Sequence, residues 1–146
     1  MIVELLKTVH ATRPDIALLS RAVLEAIALS EGSIGSSSAV ARALGIRNRF
    51  ELARLLRRDG LPSLHRLADW ATVMSWVINS KRRGVSLCRM AFHSRRHASA
   101  CYRLVEDMTG LPWSLVRSRG LQWVIRRFAR ELRTSHARVH RDRIAS

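Results

Sequence analysis

Apolar residues recur at steps of three and four along most of the chain, the spacing that places side chains on one face of an α-helix. Between Pro14 and Gly32 this spacing predicts an amphipathic helix that Pro14 opens. Its apolar positions are Ile16, Leu19, Val23, Ala26 and Ile27. Residues 1–10 fit neither the helical nor the strand period, so a short helix and a strand are both open for that segment.

A stretch rich in glycine and serine, residues 31–38, separates this helix from the next elements and predicts a linker. Its last serines can cap a short helix over about 39–44, which Gly45 ends. A second helix ends before Gly60 and carries the apolar positions Phe50, Leu52, Ala53, Leu55 and Leu56. The sequence thus predicts two short helices joined by a turn that contains a glycine.

The longest apolar stripe follows Pro62 and predicts one long helix over about 63–80. Further helices are predicted over about 87–92, 98–108 and 113–119, and on the stripe of Leu121, Val124, Ile125, Phe128 and Leu132. Residues 134–146 have no apolar period, so we expect them to fray. The expected fold class is all-α.

One short motif returns with an offset of 50 residues. Gly60-Leu61-Pro62 recurs as Gly110-Leu111-Pro112, each time after a helix that carries an arginine, Arg54 or Arg103. The order of short helix, turn and second helix returns as well. The predicted organisation is an N-terminal helical extension, a tandem helix-turn-helix domain with a linker helix over about 63–80, and a basic flexible tail. Their ranges are 1–34, 35–134 (with units at about 36–62 and 85–119) and 135–146.

The charge of the chain changes what these helices are expected to contact. Lys and Arg number 26 against 11 Asp and Glu, a formal net charge of +15. Residues 1–34 have a net charge of −1, residues 35–80 of +4 and residues 81–146 of +12. Because apolar residues make up 47% of the chain, this charge is not the mark of a disordered segment. A polyanionic partner is therefore expected for the second and third segments.

The remaining composition bears on the compartment. The two cysteines, Cys88 and Cys101, are too few for a disulfide framework and agree with a reducing interior. The first residues do not form a signal peptide, and the longest stretches without a charge are about half of the ~20 residues that cross a bilayer. We expect a cytoplasmic, nucleoid-associated protein with no membrane contact.

The second helix of a helix-turn-helix pair lies in the DNA major groove, where its first residues contact base edges. The candidates in the first unit are Arg47, Asn48, Arg49, Glu51 and Arg54, and those in the second are Arg95, Arg96, His97, Ser99 and Arg103. Arginine can donate two hydrogen bonds to guanine, and asparagine can form two hydrogen bonds with adenine. The last helix carries further arginines on the face opposite its apolar stripe. We expect phosphate contacts from Arg126, Arg127 and Arg130. These residues predict binding to double-stranded DNA.

The tandem pattern resembles the DNA-binding region of the AraC family of bacterial transcription regulators over roughly residues 36–134. The run from Val40 to Ile46 is similar to the family's first helix and turn, and Phe50 to Gly60 to its reading helix. The run from Ser99 to Pro112, an aromatic-bearing helix that ends in Thr-Gly and then Pro, is similar to the family's closing signature. The resemblance implies contacts with adjacent major grooves on one face of duplex DNA, and a role in activating or repressing promoters.

Two other functions fit the same residues. In a helical protein-assembly module, the arginines would form a solvated face and the N-terminal helix a docking surface. In a non-specific nucleic-acid binder, including one that binds RNA, the helix pairs would be structural, although exposed aromatic residues for base stacking are few. The N-terminal helix is open to two roles, as a surface for self-association or a protein partner, and as a cover for the core of the first unit.

Metal binding and catalysis have little support in the sequence. Cys88, His93, His97 and Cys101 follow one another at spacings that match no standard zinc finger, and both cysteines also fit buried helical positions. We therefore expect no metal and no cofactor. The tryptophans lie on or beside apolar stripes and are expected in the core: Trp70, Trp76, Trp113 and Trp123. No phosphate-binding loop or catalytic motif is present, so we expect no enzymatic activity.

Overall fold

The computed structural model describes residues 1–145, in which the regular secondary structure is entirely helical, as the sequence predicts. The helices of this range are α1 (Val3–Thr12), α2 (Leu18–Leu29), α3 (Ser37–Ala43), α4 (Arg49–Arg58), α5 (Leu64–Arg83), α6 (Leu87–His93), α7 (Ala98–Thr109), α8 (Trp113–Arg119) and α9 (Leu121–Ala145). None of them is long and apolar enough to cross a lipid bilayer.

Helix α5 forms the centre of the core. Every residue from Trp70 to Val77 is buried, so the middle of this helix is enclosed on all sides. It packs against α2, α6, α7, α8 and α9. Trp70, Trp76 and Trp113 are buried as predicted, whereas Trp123 is only half-buried against the core. With 20 residues, α5 is about 30 Å long and joins the two halves of the chain.

The N-terminal helices cover this core. Most of residues 1–10, which the sequence left open between a helix and a strand, lie in α1. This helix packs on α2 and α9, while α2 packs on α5. Val23 and Ile27 are buried as predicted, but the apolar stripe of α2 is rotated from the prediction. Leu24 is buried and Leu19 is 41% exposed.

The start of α2 also differs from the prediction, because a residue distant in sequence caps it. The helix begins at Leu18 and not at Pro14. The carboxylate of Asp59, at the end of α4, accepts hydrogen bonds from the Ala17 backbone N–H at 3.0 Å and the Ser20 hydroxyl at 2.6 Å. An acceptor at a helix N-terminus satisfies N–H groups that have no partner inside the helix.

A buried arginine ties the link between α1 and α2 to the end of α4. Arg13 is 2% exposed and donates two hydrogen bonds to the Asp15 carboxylate, at 3.0 and 2.9 Å. It also donates to the backbone carbonyls of Gly60, at 3.2 Å, and Asp59. A buried charge is tolerated only when its donors are paired, so this arginine fixes the N-terminal extension on the first helix pair.

The prediction that residues 134–146 fray is wrong through residue 145, since α9 continues to Ala145. The end of α9 lies along the turn that follows α4. Gly60 has a φ of +66°, and a Cβ there would lie 3.3 Å from the Cα of His136. Val139 is half-buried, and Arg143 donates to the backbone carbonyl of Arg58 at 2.6 Å. These contacts hold a segment whose own sequence has no continuous apolar stripe.

A polar cluster joins α5 to α9 beside the core. The Arg66 guanidinium donates to both oxygens of the Glu131 carboxylate at 2.6 to 3.1 Å, and the Trp70 indole N–H donates to it at 2.8 Å. Burial alone would raise the pKa of Glu131, but these hydrogen bonds outweigh that effect and lower it. The carboxylate therefore stays ionised and holds the two helices together.

We expect Glu131→Gln to lower the free energy of unfolding by about 1 to 3 kcal/mol, less than for a fully buried ion pair because both partners are partly exposed. Urea unfolding followed by circular dichroism measures this. Glu106→Gln is the matched control, because Glu106 is exposed and its side chain has no hydrogen-bond partner within residues 1–145. Equal losses in the two variants would contradict the role of Glu131.

The Arg13–Asp15 pair makes stability depend on pH. The hydrogen bonds from Arg13 lower the pKa of Asp15 from 3.8 to about 2. A lowered carboxyl pKa adds stability above the unfolded value, and that stability is lost as the pH falls through the folded value. We expect the wild type to exceed Asp15→Asn in unfolding free energy near neutral pH, and the difference to shrink between about pH 4 and pH 2. If the difference in unfolding free energy did not change with pH, the ionised carboxylate of Asp15 would not be the group that stabilises the fold.

Candidate nucleic-acid interface

The first helix pair, α3 and α4, is defined by local capping. The Ser36 hydroxyl accepts a hydrogen bond from the Ala39 N–H at 3.1 Å and starts α3. Gly45, at a φ of +69°, ends it, and the Ile46 N–H donates to the Ala41 carbonyl at 2.8 Å. Positive φ at this place costs a glycine little. The turn between the helices is therefore short and fixed.

The second pair, α6 and α7, repeats this capping 50 residues later. The Ser86 hydroxyl accepts from the Arg89 N–H at 3.2 Å, and the Arg96 N–H donates to the Ala91 carbonyl at 2.9 Å. Arg95, at a φ of +57°, stands in the position of Gly45. A non-glycine residue in this conformation is strained, and contacts elsewhere in the structure must stabilise it.

The turns that close the two pairs also correspond. Gly60 and Gly110 both have positive φ, +66° and +78°. An arginine donates to the carbonyl of the residue before each glycine, Arg13 to Asp59 in the first pair and Arg127 to Thr109, at 2.7 Å, in the second. The structure thus contains the same helix pair twice, each followed by an arginine-bound turn.

The predicted residues of the first unit lie together around the start of α4. Arg47, Asn48, Arg49 and Arg54 are exposed, and Glu51 is half-exposed. Glu51 and Arg54 form an exposed ion pair at 2.8 Å. The Arg49 guanidinium lies 4.9 Å from the centre of the Phe50 ring. Phe50 itself is 63% exposed, so its predicted place on the apolar stripe is wrong, because it stands in the first turn, where α4 has no neighbour to cover it.

Asn48 has a structural role at this site. Its side-chain oxygen accepts hydrogen bonds from the N–H groups of Phe50, at 3.0 Å, and Glu51, at 2.9 Å, so Asn48 is the N-cap of α4. Bidentate recognition of adenine needs both the oxygen and the amide nitrogen of an asparagine. In this structure only the amide nitrogen of Asn48 is free for a ligand.

The predicted residues of the second unit surround the start of α7, and all of them are exposed: Arg95, Arg96, His97, Ser99 and Arg103. No side chain caps α7, whose N-cap is His97. The Arg96 guanidinium lies 5.9 Å from the centre of the Trp76 ring. Arg103 has no ion pair or side-chain hydrogen bond within residues 1–145. The second unit is therefore the more open of the two to a polyanion.

On the last helix, the structure separates the three predicted arginines. Arg126 and Arg130 are exposed, opposite the buried face of Val124 and Phe128. Arg127 is half-buried, donates to Thr109 and lies 5.4 Å from the centre of the Trp123 ring. Arg127 therefore stabilises the end of α7 and is the weakest candidate for a phosphate contact.

The two units carry equal charge. Each predicted unit, residues 36–62 and residues 85–119, holds six arginines and two carboxylates, a net charge of +4. Two further arginines, Arg42 on α3 and Arg89 on α6, are exposed and were not among the predicted residues. Arg42 lies one residue from the C-terminus of α3, where cations are favoured, and this position is the signal that was available for it. Arg89 lies in the first turn of α6, where the helix dipole gives no such signal.

The cysteine and histidine cluster does not form a closed site. Cys88 is exposed, against the prediction of a buried position, and its sulfur lies 3.5 Å from the hydroxyl of Tyr102, which is itself exposed. Cys101 is buried, which raises the pKa of its thiol. Within residues 1–145, no three histidine, cysteine or acidic residues stand close enough to hold a metal ion.

Comparison with known proteins identifies no relative of this chain. No protein-family model matches it, and neither the curated proteins nor the solved structures contain a significant match. The resemblance to the AraC family therefore stays a prediction from the sequence motifs.

The capping role of Asn48 is open to test. We expect Asn48→Ala to lower the free energy of unfolding by about 0.5 to 2 kcal/mol, because two N–H groups of α4 lose their acceptor. Asn48→Ser keeps an acceptor at the N-cap and should retain most of the stability. Thermal and urea unfolding measure both. If alanine and serine destabilise equally, the hydrogen bonds of Asn48 do not stabilise α4.

Proposed function

We propose that this protein is a transcription regulator that binds double-stranded DNA sequence-specifically, with α4 and α7 reading two adjacent segments of the major groove. The observation that carries the proposal is the recurrence of one helix pair 50 residues apart, with the same serine cap on its first helix and the same positive-φ turn after it. In both copies exposed arginines surround the start of the second helix. That end is the part of a helix-turn-helix pair that contacts bases.

The long helix α5 supports a two-site arrangement. Its length of about 30 Å is close to one turn of B-DNA, which is about 34 Å. Because its middle is packed on all sides, it is a rigid connection between the two pairs. A rigid connection of this length favours binding to two boxes on one face of the duplex, as the AraC resemblance implies.

The side chains divide into two groups by the contacts they would make. Arg47, Arg49, Arg95, Arg96 and His97 stand at the starts of the two second helices, and we assign the choice of sequence to them. We assign phosphate contacts to Arg126 and Arg130 on α9, since phosphate contacts need only exposed cations. A protein of this kind would act in the bacterial cytoplasm, at the nucleoid.

The first experiment is selection from randomised duplexes of about 30 base pairs at near-physiological salt. We expect two short boxes about one helical turn apart. The double variant Arg95→Ala, Arg96→Ala should lose about 1 to 3 kcal/mol of binding free energy per base contact. It should also weaken the sequence preference at one of the two boxes. Arg130→Ala should weaken binding to all sequences and reduce the salt dependence.

Lys7→Ala is the control, an exposed cation on α1 in the segment of net negative charge. It should change neither the affinity nor the selected boxes. Salt-sensitive binding without any preferred sequence would overturn the proposal and favour a non-specific binder or an assembly module.

A further inference from the structure

A groove of about 630 Å³ lies between the α2–α3 loop, α5 and α6, within the size range of small-molecule sites. The loop contributes Ser30, Glu31 and Ser33 to its lining. The half-buried Met90 supplies apolar surface, next to the edge of the buried Trp76. The DNA-binding proposal does not use this groove, although one of its lining residues is Arg96.

The lining of the groove is rich in cations. Arg83 of α5 and Arg89 of α6 contribute to it, together with His93 and Arg96. Neither Arg83 nor Arg89 has an ion pair or a side-chain hydrogen bond within residues 1–145. Several guanidinium groups around one space form a binding site for a phosphate group, to which arginine donates in pairs.

The lining also contains groups that accept and donate hydrogen bonds. The Ser75 hydroxyl donates to Glu31 Oε2 at 3.2 Å, and the Asn79 amide donates to the Ser75 hydroxyl at 3.3 Å. Glu31 Oε1 lies 3.5 Å from the Met1 amino group. A carboxylate is an acceptor for hydroxyl groups and repels a DNA backbone, so the presence of Glu31 in the groove does not suit a polynucleotide.

The backbone holds Glu31 over the groove at a cost. Glu31 has a φ of +54°, and the following Gly32 is so close to α5 that a Cβ would lie 2.2 Å from the Thr72 hydroxyl oxygen. Among residues 1–145, Glu31 and Arg95 are the non-glycine residues with positive φ. Arg95 adjoins Ser94 and Arg96, which also line the groove. Strain of this kind clusters at functional sites.

We propose that this groove binds a small phosphorylated compound with free hydroxyl groups, such as a sugar phosphate. The phosphate lies against Arg83, Arg89 and Arg96, and hydroxyl groups bond to Glu31 and Asn79. The apolar face of a sugar ring packs on Met90.

The groove also regulates DNA binding, an inference that rests on the proposed function. Arg96 lies over Trp76 at the edge of the groove and stands two residues before α7, where we assign it to DNA. A phosphate in the groove holds this guanidinium away from DNA. The ligand therefore weakens DNA binding, by about tenfold if one contact is lost.

The test titrates the whole protein, without DNA, with glucose 6-phosphate, ribose 5-phosphate, glycerol 3-phosphate, inorganic phosphate and glucose. Isothermal calorimetry and tryptophan fluorescence follow the binding at near-physiological salt. We expect at least one sugar or polyol phosphate to bind about tenfold or more tightly than inorganic phosphate, and glucose not to bind. No saturable binding of the three organic phosphates up to about 10 mM overturns the proposal.

Variants separate this site from general attraction to a basic surface. Arg89→Ala should weaken the organic phosphate about tenfold, and Arg117→Ala, an exposed arginine outside the groove, should not. Glu31→Gln removes a negative charge, so general attraction predicts tighter binding of every phosphate. The proposal predicts weaker binding of the organic phosphate alone. Circular dichroism checks that each variant is folded, and tighter binding by Glu31→Gln would overturn the proposal.

The DNA arm uses the same ligand and a selected duplex. In the wild type we expect the ligand to raise the Kd for DNA about tenfold, and in Arg96→Ala to leave it unchanged. An unchanged Kd in the wild type overturns the regulatory role. If the protein binds no DNA, the proposed function fails, and the titration without DNA still decides on the groove.

Discussion

The guanidinium of Arg13 is the contact on which the arrangement of the helices depends. It is buried at the meeting point of the α1–α2 link and the turn after α4, and the end of α9 lies against that turn. Burying a charge is unfavourable unless each donor is paired. Here Asp15 and two backbone carbonyls pair it, and no buried side-chain nitrogen or oxygen within residues 1–145 lacks a partner. One side chain thus joins the N-terminal helices to the turn at Gly60, against which the end of α9 also lies.

The two helix pairs share the serine cap of the first helix and the positive-φ turn after it, and they differ in side-chain chemistry. In the first, Asn48 caps the second helix, and Glu51 partly neutralises Arg54. In the second, no side chain caps α7, and Arg103 is unpaired within the described residues. This difference lets two similar units make different contacts. The strained turn at Arg95 connects the second unit to the groove lined by Glu31 and Arg96.

Much of the candidate site could be predicted from the sequence, because the residues at the start of a helix follow from where the helix begins. Arg47, Arg49 and Arg96 are exposed where the pattern placed them. Three roles could not be predicted. Arg127 donates a hydrogen bond to the Thr109 carbonyl, Arg96 lies over the Trp76 ring, and Glu31 accepts a hydrogen bond from the Ser75 hydroxyl. In each case the partners are more than 15 residues apart in the sequence. Charge and periodicity do not specify such distant partners.

The sequence by itself determined the helical class, the repeat with its offset of 50 residues, and most helix ends. The reason is that caps are local: Ser36, Ser63 and Ser86 bond to N–H groups three residues away. The tertiary structure decided where α2 starts and how far α9 extends. There the partners are Asp59 and the turn at Gly60, far away in sequence. A helix whose end is stabilised by a distant residue carries no sign of that end in its own sequence.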